Sequence, residues 1–210
     1  MRAALPRRWF DLCVIPRHDQ VPAADNVVVS DGPLNPMRPA LHKDAERGLI
    51  LLGGPSAHYA WDNDRMLAAV HEVMATRSAI QWTVCSSRRT PQPLSASLAQ
   101  DPVTGPCFMP VERTAPEWLP ATLAGCGHAW VSVDSAAMIY EALSAGARVG
   151  LLPLAVRRAG RVTRIADDLA ARGMVAATPQ DEAPHSPAPL AEADRVAALI
   201  LSRWPTPDAA

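Results

Sequence analysis

The sequence predicts an α/β fold built on a Rossmann-like, mostly parallel sheet. From Gly48 onwards, short apolar or β-branched runs alternate with longer segments of helical periodicity, which is the pattern of parallel strands joined by helices. Two of the apolar runs end in glycine or in short polar residues, which suits the ligand-binding ends of such strands. With 210 residues, the chain can bury a large core without disulfides or structural metals.

The first forty residues predict two strands, at 10–15 and 26–30, with no helix of useful length between them. Because parallel strands need a crossover connection, we expect these two strands to belong to a larger sheet and not to form one of their own. Turn signals follow at Asp31-Gly32-Pro33. We therefore divide the chain into residues 1–40, a fragment of one Rossmann-like domain with its linker, and residues 41–210, a second Rossmann-like domain.

The second domain has a regular pattern. Apolar runs predict strands at 49–52, 81–86, 107–111, 129–133 and 148–152. Apolar residues at helical spacing predict helices at 64–77, 117–124, 135–145, 165–172 and 190–204, with a loop and a short helix within 90–100 and a Pro-rich loop at 178–189. Asp62 or Asn63 is expected to cap the first helix, and Gly146 to end the helix at 135–145.

Composition and the length of the apolar runs argue against several classes of function. The 20 basic and 21 acidic residues leave a net charge of −1, which does not favour binding to nucleic acid or to an anionic membrane. The apolar runs are too short for a transmembrane helix, and Asp11 interrupts the N-terminal run that could resemble a signal peptide. The four cysteines lack the spacing of a disulfide framework or a zinc site, so we expect reduced core residues and no metal site. We expect a cytoplasmic location, with association at the periphery of the inner membrane left open.

Two glycines, Gly53 and Gly54, follow the buried run 49–52, and Ser56 comes two residues later. Glycines at this position let the backbone approach a phosphate closely, and Ser56 adds a hydroxyl. The alternative is an ordinary tight turn, because the full G-x-G-x-x-G spacing is absent.

A second polar group, Asp134 and Ser135, follows the run 129–133, and Glu141 stands six residues further along the predicted helix. Ser135 is a suitable N-cap, and the first-turn amides beyond it favour an anion. Glu141 is suited to accept hydrogen bonds from ribose hydroxyls. The alternatives are a purely structural cap and a solvated glutamate.

Between these groups, Ser87, Arg88 and Arg89 follow the run 81–86. Arginines at the end of a strand can hold a diphosphate through bidentate contacts, although a solvated surface pair is equally compatible with the sequence. Because the carboxyl ends of parallel strands meet at one edge of a sheet, all three groups are expected to converge.

His18 and Asp19 follow the first predicted strand and would lie at a cleft between domains. A histidine and a carboxylate in a cleft could act as a catalytic base, whereas a lone histidine is more often structural. No Ser-His-Asp arrangement, metal cluster or Walker loop is present in the sequence.

The order of these motifs resembles the mitochondrial fission ELM-type family. The resemblance rests on five blocks spanning about residues 9–154: Trp9-Phe10-Asp11 with Pro16-Arg17-His18-Asp19; Asn26-Val27-Val28 with Asp31-Gly32 and Leu34-Asn35; Leu52-Gly53-Gly54-Pro55-Ser56 with Trp61-Asp62; Ser86-Ser87-Arg88-Arg89-Thr90-Pro91; and Val133-Asp134-Ser135 with Met138 and Glu141-Ala142-Leu143-Ser144. The last block is also similar to the donor-binding half of the MurG-like transferases.

The resemblance implies the C-terminal half of a GT-B glycosyltransferase fold, preceded by a fragment of the N-terminal, acceptor-binding half. By that resemblance Glu141 would bind the donor ribose, while Gly53, Gly54 and the helix after Ser135 would bind the diphosphate. Family members carry a complete N-terminal Rossmann domain, which leaves open whether this chain turns over a substrate on its own.

The expected function is therefore metal-independent glycosyl transfer from a UDP- or GDP-linked sugar to an unidentified acceptor, or donor binding alone. No further cofactor is expected. The alternative is a non-catalytic interaction protein, as the naming of the plant members implies. The sheet edge exposed next to a partial N-terminal half would favour a homodimer.

Overall fold

The computed structural model describes residues 5–184 and 189–204. In chain order its strands are β1 (Cys13–Pro16), β2 (Val27–Ser30), β3 (Asp44–Leu51), β4 (Tyr59–Ala60), β5 (Gln81–Cys85), β6 (Phe108–Met109), β7 (Cys126–Ser132), β8 (Arg148–Leu152) and β9 (Ala155–Val156). Its α-helices are α1 (Asn63–Thr76), α2 (Gln92–Gln100), α3 (Trp118–Gly125), α4 (Ala136–Ser144), α5 (Arg161–Ala171) and α6 (Glu192–Arg203).

The main sheet has five parallel strands in the order β6-β5-β3-β7-β8. Its first strand in sequence, β3, is therefore central, and the chain builds outwards from it first to one side and then to the other. This is the arrangement of a doubly wound Rossmann-like sheet. The predicted α/β fold class is confirmed.

The sheet is covered on both faces, as its apolar strands require. Alternate residues of β3 point to opposite sides, so that Leu49 and Leu51 pack against α4 and α5, whereas Ile50 faces α1 and α2. The apolar residues in contact on each side of the sheet are fully or almost fully buried. The core therefore consists of two apolar layers separated by the sheet.

The strands β1 and β2 form a parallel sheet of their own, so the prediction that they could not do so is wrong. Cys13 pairs with Val27 and Pro16 with Ser30. A short 3-10 helix (Arg17–Asp19) and the extended segment after it make the crossover that we had expected to need a longer helix.

Residues 13–32, called here the N-terminal strap, are anchored to the C-terminal part of the chain. The backbone amide of Asp31 donates to the buried carboxylate of Glu192 at 2.9 Å. A Cβ on Gly32 would lie 2.3 Å from the ring of Tyr140, so glycine is needed for the strap to approach α4. The strap therefore packs directly on α4 and α6.

Local signals placed most helix ends correctly. Asp62 caps α1 by accepting from the amides of Asp64 and Arg65 at 3.0 and 3.1 Å. Gly146 adopts a φ of +75° after α4, the left-handed conformation that glycine tolerates best. By contrast, α5 begins at Arg161 and not at residue 165, and the antiparallel pair of β4 and β9 was not predicted.

The structure also bears on the expectations for the cysteines, for membrane-spanning helices and for the loop at 178–189. Cys85 and Cys126 are buried and Cys13 and Cys107 half-buried, and none of the four is in a disulfide. In the part of the chain that the structure describes, every helix is too short or too polar to cross a bilayer. Four residues of the predicted loop at 178–189, namely 185–188, lie outside the described residues.

Candidate functional site

The glycine pair and Asp134 meet at the carboxyl edge of the sheet, between β3 and β7. The amide of Gly53 donates to Ser132 Oγ at 2.7 Å, and the amide of Gly54 donates to Asp134 Oδ2 at 3.1 Å. In the strand order of this sheet, β3 and β7 flank the point where the chain reverses its winding. Open α/β sheets bind ligands in the crevice at this point.

The two glycines are required by close contacts between loops. A Cβ on Gly53 would lie 2.3 Å from Asp134 Oδ2, and one on Gly54 would lie 1.9 Å from the carbonyl oxygen of Arg89. Because both amides already have partners inside the protein, they hold the strand ends together. Their predicted contact with a phosphate stays a prediction, and it would require a change in these hydrogen bonds.

Asp134 and Arg89 form an ion pair at this edge, with 2.8 Å between Asp134 Oδ2 and Arg89 Nη2. The side chain of Asp134 is fully buried, whereas that of Arg89 is 46% exposed. Arg89 Nη1 also donates to the carbonyl of Gly54 at 3.3 Å. Asp134 Oδ1 is buried and has no hydrogen-bond partner among the described residues. Arg89 is therefore anchored through both of its terminal nitrogens, while its side chain stays partly exposed.

The loop after β5 is closed by its own hydroxyls. Thr90 Oγ1 accepts from the amide of Ser87 at 2.8 Å and lies 2.7 Å from the carbonyl oxygen of Gly53. Ser87 Oγ lies 3.2 Å from the same carbonyl. Arg88 is exposed on this loop and makes no side-chain hydrogen bond or ion pair within the described chain. A rigid loop thus presents Arg88 and Arg89 next to each other.

The hydroxyl of Ser56 is used within its own loop. Ser56 Oγ accepts from the amides of His58 and Tyr59 at 3.3 and 3.2 Å, which closes a turn between the glycine pair and β4. Burial raises the pKa of Tyr59 to about 12, with Asp167 and Asp134 adding to the effect. Tyr59 is therefore uncharged at neutral pH and lies in the apolar layer that packs against α4 and α5.

Ser135 occupies the predicted N-cap position of α4 but makes no side-chain hydrogen bond to the helix. The first-turn amides at 136–138 consequently have no partner among the described residues. Free amides and the helix dipole make this end of α4 favourable for an anion.

Glu141 lies on α4 and is half-buried. Its side chain makes no hydrogen bond or ion pair within the described chain, and burial raises the pKa of its carboxyl above the ordinary value of 4.5. Side chains on a helix lean towards its N-terminus, so Glu141 leans towards the free amides of α4. An acidic side chain in such a position has unused acceptor capacity.

His18 and Asp19 lie in the strap, against α4 and α5. The His18 ring stacks on Tyr140 with 6.3 Å between centroids, and its Nδ1 atom is buried without a hydrogen-bond partner in the described residues. Burial lowers the pKa of His18, partly offset by Asp19. Asp19 Oδ1 lies 2.5 Å from Arg161 Nη1. His18 is thus an uncharged imidazole at neutral pH.

Three residues of this arrangement were not proposed as site residues from the sequence. Ser132 lies within an apolar strand, where its hydroxyl was the only signal. Thr90 belongs to a polar run in the sequence, which does not reveal that its hydroxyl closes the loop after β5. Arg161 was placed before the helix because α5 was predicted to begin four residues later.

Within residues 5–184 and 189–204, no three His, Cys, Asp or Glu side chains come together in a group that could hold a metal ion. The positive charge at the carboxyl edge comes from arginines.

Comparison with known proteins identifies the family. None of the curated proteins compared with the chain matches it. Among solved structures, it is similar to a crystal structure from Listeria monocytogenes designated UDP-N-acetylglucosamine 2-epimerase, with 15% identity and a TM-score of 0.46. The match covers 75% of this chain and 45% of that one, so this chain spans less than half the length of that protein.

The family model described as Mitochondrial fission ELM1 matches residues 1–204. This match includes all five blocks on which the resemblance rests and extends beyond them at both ends. The predicted resemblance is confirmed, and the protein belongs to the Mitochondrial fission ELM1 family.

Proposed function

We propose that the carboxyl edge of the main sheet binds a UDP- or GDP-linked sugar, and that the chain is the donor-binding portion of a GT-B-type glycosyltransferase. The observation that carries the proposal is the ion pair of Arg89 with Asp134 at the β3–β7 crevice, directly before α4. Three further features support it: the free first-turn amides of α4, Arg88 next to Arg89 in the chain, and Glu141 on α4 without a partner among the described residues.

The diphosphate is assigned to the space between α4 and the loop after β5. Asp134 orients Arg89 and neutralises part of its charge. Nη2 faces Asp134 and Nη1 donates to the carbonyl of Gly54, so a diphosphate would use the remaining N–H bonds of this partly exposed guanidinium. Arg88 adds a second guanidinium, and planar guanidinium groups match phosphate oxygens in a bidentate manner. The free amides at 136–138 add donors of the kind that bind phosphates at helix N-termini.

The ribose is assigned to Glu141. A carboxylate accepts two hydrogen bonds, which matches two neighbouring ribose hydroxyls. Because burial disfavours the charged form of Glu141, these hydrogen bonds would offset a desolvation cost that the free protein already bears.

The reaction proposed is direct glycosyl transfer. The acceptor oxygen attacks the anomeric carbon, the bond between that carbon and the diphosphate oxygen breaks, and the electron pair leaves with the nucleoside diphosphate. Arg88 and Arg89 stabilise the negative charge that develops on the leaving group, without a metal. The acceptor proton passes to a base, for which His18 is the better candidate because Asp19 is held by Arg161.

Calorimetric titration with UDP and GDP tests the proposal. We expect one of them to bind at sub-millimolar to millimolar concentration, and binding to be lost in Glu141→Ala. Absence of binding of either nucleotide at millimolar concentration would refute the proposal.

A non-catalytic interaction function is the alternative, and one observation favours it. Trp9 and Phe10 are 63% and 42% exposed beside the strap, and exposed aromatic side chains are typical of protein interfaces. A binding partner retained by Gly54→Val and Glu141→Ala but lost on Trp9→Ser and Phe10→Ser would support it. A partner lost in the first two variants would argue for the donor site instead.

A further inference from the structure

A cluster of arginines lies just beyond the carboxyl end of β8. Arg157, Arg158, Arg161 and Arg164 stand within a segment, 153–164, that contains no acidic residue. The segment therefore carries a formal charge of +4 in a chain whose net charge is −1. Overall composition hides this local concentration of positive charge.

Three of these arginines have no acidic partner. Arg161 binds Asp19, but Arg157, Arg158 and Arg164 are exposed and make no side-chain ion pair or hydrogen bond in the described part of the chain. Their charges are available to an external partner.

Acidic residues follow only one turn later on α5. Asp168 is already engaged by Arg172, at 3.4 Å, which leaves Asp167 as the nearest acidic neighbour along the helix. These two carboxylates reduce the positive charge but do not cancel it, and residues 153–168 keep a formal charge of +2.

The backbone that carries the arginines is fixed. The amides of Arg157 and Arg158 both donate to the carbonyl of His58, at 2.8 and 3.1 Å, and Val156 pairs with Tyr59 across the β4–β9 ribbon. Both residues of β9 are exposed, and Val156 is 55% exposed. Residues 155–158, 161 and 164, called here the basic tip, thus combine an apolar end with flanking positive charge.

The basic tip is exposed and lies outside the two cavities described here. The cavity of about 610 Å³ lies beside α2 and β6, where Gln92 and Phe108 line it, and the cavity of about 330 Å³ is lined by Arg77 and His128. The basic tip lines neither of them. A discrete small ligand needs a concave site, whereas exposed arginines around an exposed apolar side chain suit a flat anionic surface.

We propose that the basic tip docks the protein on the surface of an anionic lipid bilayer. Arg157, Arg158 and Arg164 contact lipid phosphates, and Val156 inserts at the level of the headgroups. The tip follows β8 at the same edge of the sheet as the candidate donor site, so docking brings that site next to the membrane. This inference does not depend on nucleotide binding.

Co-flotation with vesicles tests the proposal. The vesicles are phosphatidylcholine alone or phosphatidylcholine with phosphatidylglycerol, at low and at physiological salt. We compare the wild type with R157A/R158A/R164A and with R47A/R113A/R203A, a control that removes the same charge from other exposed positions. Thermal melting of each variant verifies folding.

We expect the wild type to float only with the anionic vesicles and to dissociate as salt rises. Each arginine near such a surface raises the partition coefficient of the protein onto the vesicles about fivefold. The first triple variant should therefore bind the anionic vesicles about 100-fold more weakly than the wild type. The control triple should keep most of the binding, and Val156→Ser should weaken it without changing the charge.

Three results would overturn the proposal. They are a wild type that does not float with anionic vesicles at low salt, an equal loss in both triple variants, and flotation unaffected by the basic-tip variant. Inorganic pyrophosphate serves as a soluble probe. If the basic-tip variant loses calorimetric binding of pyrophosphate but still floats, the tip is a site for a soluble anion and the membrane proposal is wrong.

Discussion

Asp134 and Arg89 join the loops after β7 and β5 through a contact of 2.8 Å, across the glycine pair that ends β3. Asp134 also accepts from the amide of Gly54, and Arg89 donates to the carbonyl of the same glycine. One buried carboxylate therefore holds together the three loops that form the candidate donor site. The predictions below concern this network, Glu141 on α4 and the N-terminal strap.

Removal of the Asp134 carboxylate should destabilise the protein. Asp134→Ala leaves the amide of Gly54 without its partner and Arg89 without its counter-ion, and we expect a loss of about 2 kcal/mol in the free energy of unfolding. Values for fully buried pairs are larger, but Arg89 is partly exposed and solvent compensates it. Urea unfolding measures the loss. Arg88→Ala is the control and should stay within about 0.5 kcal/mol of the wild type; equal effects of the two variants would contradict the assigned network.

Gly54 should not tolerate a side chain. The Cβ of Gly54→Ala would meet the backbone carbonyl of Arg89, which cannot rotate away, so we expect a loss of about 2 kcal/mol or more. Gly125→Ala is the matched control, because nothing lies within 4 Å of its Cβ position at the end of α3. Replacing such a helical glycine should leave stability unchanged or raise it by about 0.5–1 kcal/mol. Thermal or urea unfolding that ranks Gly125→Ala below Gly54→Ala would show the contact to be wrong.

Glu141 should make nucleotide binding depend on pH. Burial raises its pKa in the folded protein, so its protonated form is present at a higher pH than for an ordinary glutamate, whose pKa is 4.5. UDP or GDP affinity, measured by calorimetry, should fall as pH is lowered through that raised pKa. Glu141→Gln should bind weakly at every pH. A pH dependence that persists in Glu141→Gln would assign the titration to another group.

The same shift has a consequence for stability. The folded protein favours protonated Glu141, so the stability that this group contributes is complete below the ordinary pKa and is lost as pH rises through the folded-state pKa. Glu141→Gln should therefore be at least as stable as the wild type at neutral pH. This separates a loss of binding from a loss of folding.

Removal of one buried carboxylate on α6, that of Glu192, should loosen the N-terminal strap. Glu192 accepts from the amide of Asp31 at 2.9 Å and from Arg195 at 2.7 Å, and Arg195 donates to the carbonyl of Val29 at 2.8 Å. In Glu192→Ala we expect faster amide hydrogen exchange in β2 and a loss of about 1.5–3 kcal/mol, the range for hydrogen bonds to charged groups.

Asp194→Ala is the control for this change, because it removes only an exposed ion pair with Arg38. Such pairs contribute at most about 1 kcal/mol. The hydrogen bonds from Arg195 hold the pKa of Glu192 below its ordinary value of 4.5, so the contribution of Glu192 is present at neutral pH and is lost as pH falls through the lowered pKa. Hydrogen exchange in β2 that is unchanged by Glu192→Ala would show that other contacts hold the strap.

The helices and strands that depend on local sequence patterns could be predicted from the sequence. Apolar runs, the cap at Asp62 and the left-handed Gly146 act over a few residues, so most strands and helices around the main sheet are predicted close to their observed bounds. The exceptions are β3, which begins five residues before the predicted start at 49, and α5, which begins four residues before the predicted start at 165. Pairings between distant segments have no such signal. Tyr59 and Val156 meet only because the segments after β3 and β8 leave the same edge of the sheet, and β1 and β2 pair across an irregular connection.

The candidate site could likewise be predicted only in part. Chain order and strand topology were sufficient to place the groups at Gly53, Arg89 and Asp134 on one edge. The pairing of hydrogen-bond donors and acceptors depends on the direction of side chains at the ends of twisted strands. The spacing of residues in the sequence does not reveal that direction. The use of the glycine amides by Ser132 and Asp134 therefore emerged only from the structure.

Mapping the nucleotide on the protein tests the central claim most directly. In amide-resolved NMR of the protein titrated with UDP and then GDP, the account predicts saturable shifts in the loops at 53–57 and 87–90 and in the first turn of α4, with the largest losses of affinity in Glu141→Gln. Shifts concentrated around Arg77 and His128, at the opposite edge of the sheet, or no saturable shifts at millimolar nucleotide, would contradict it.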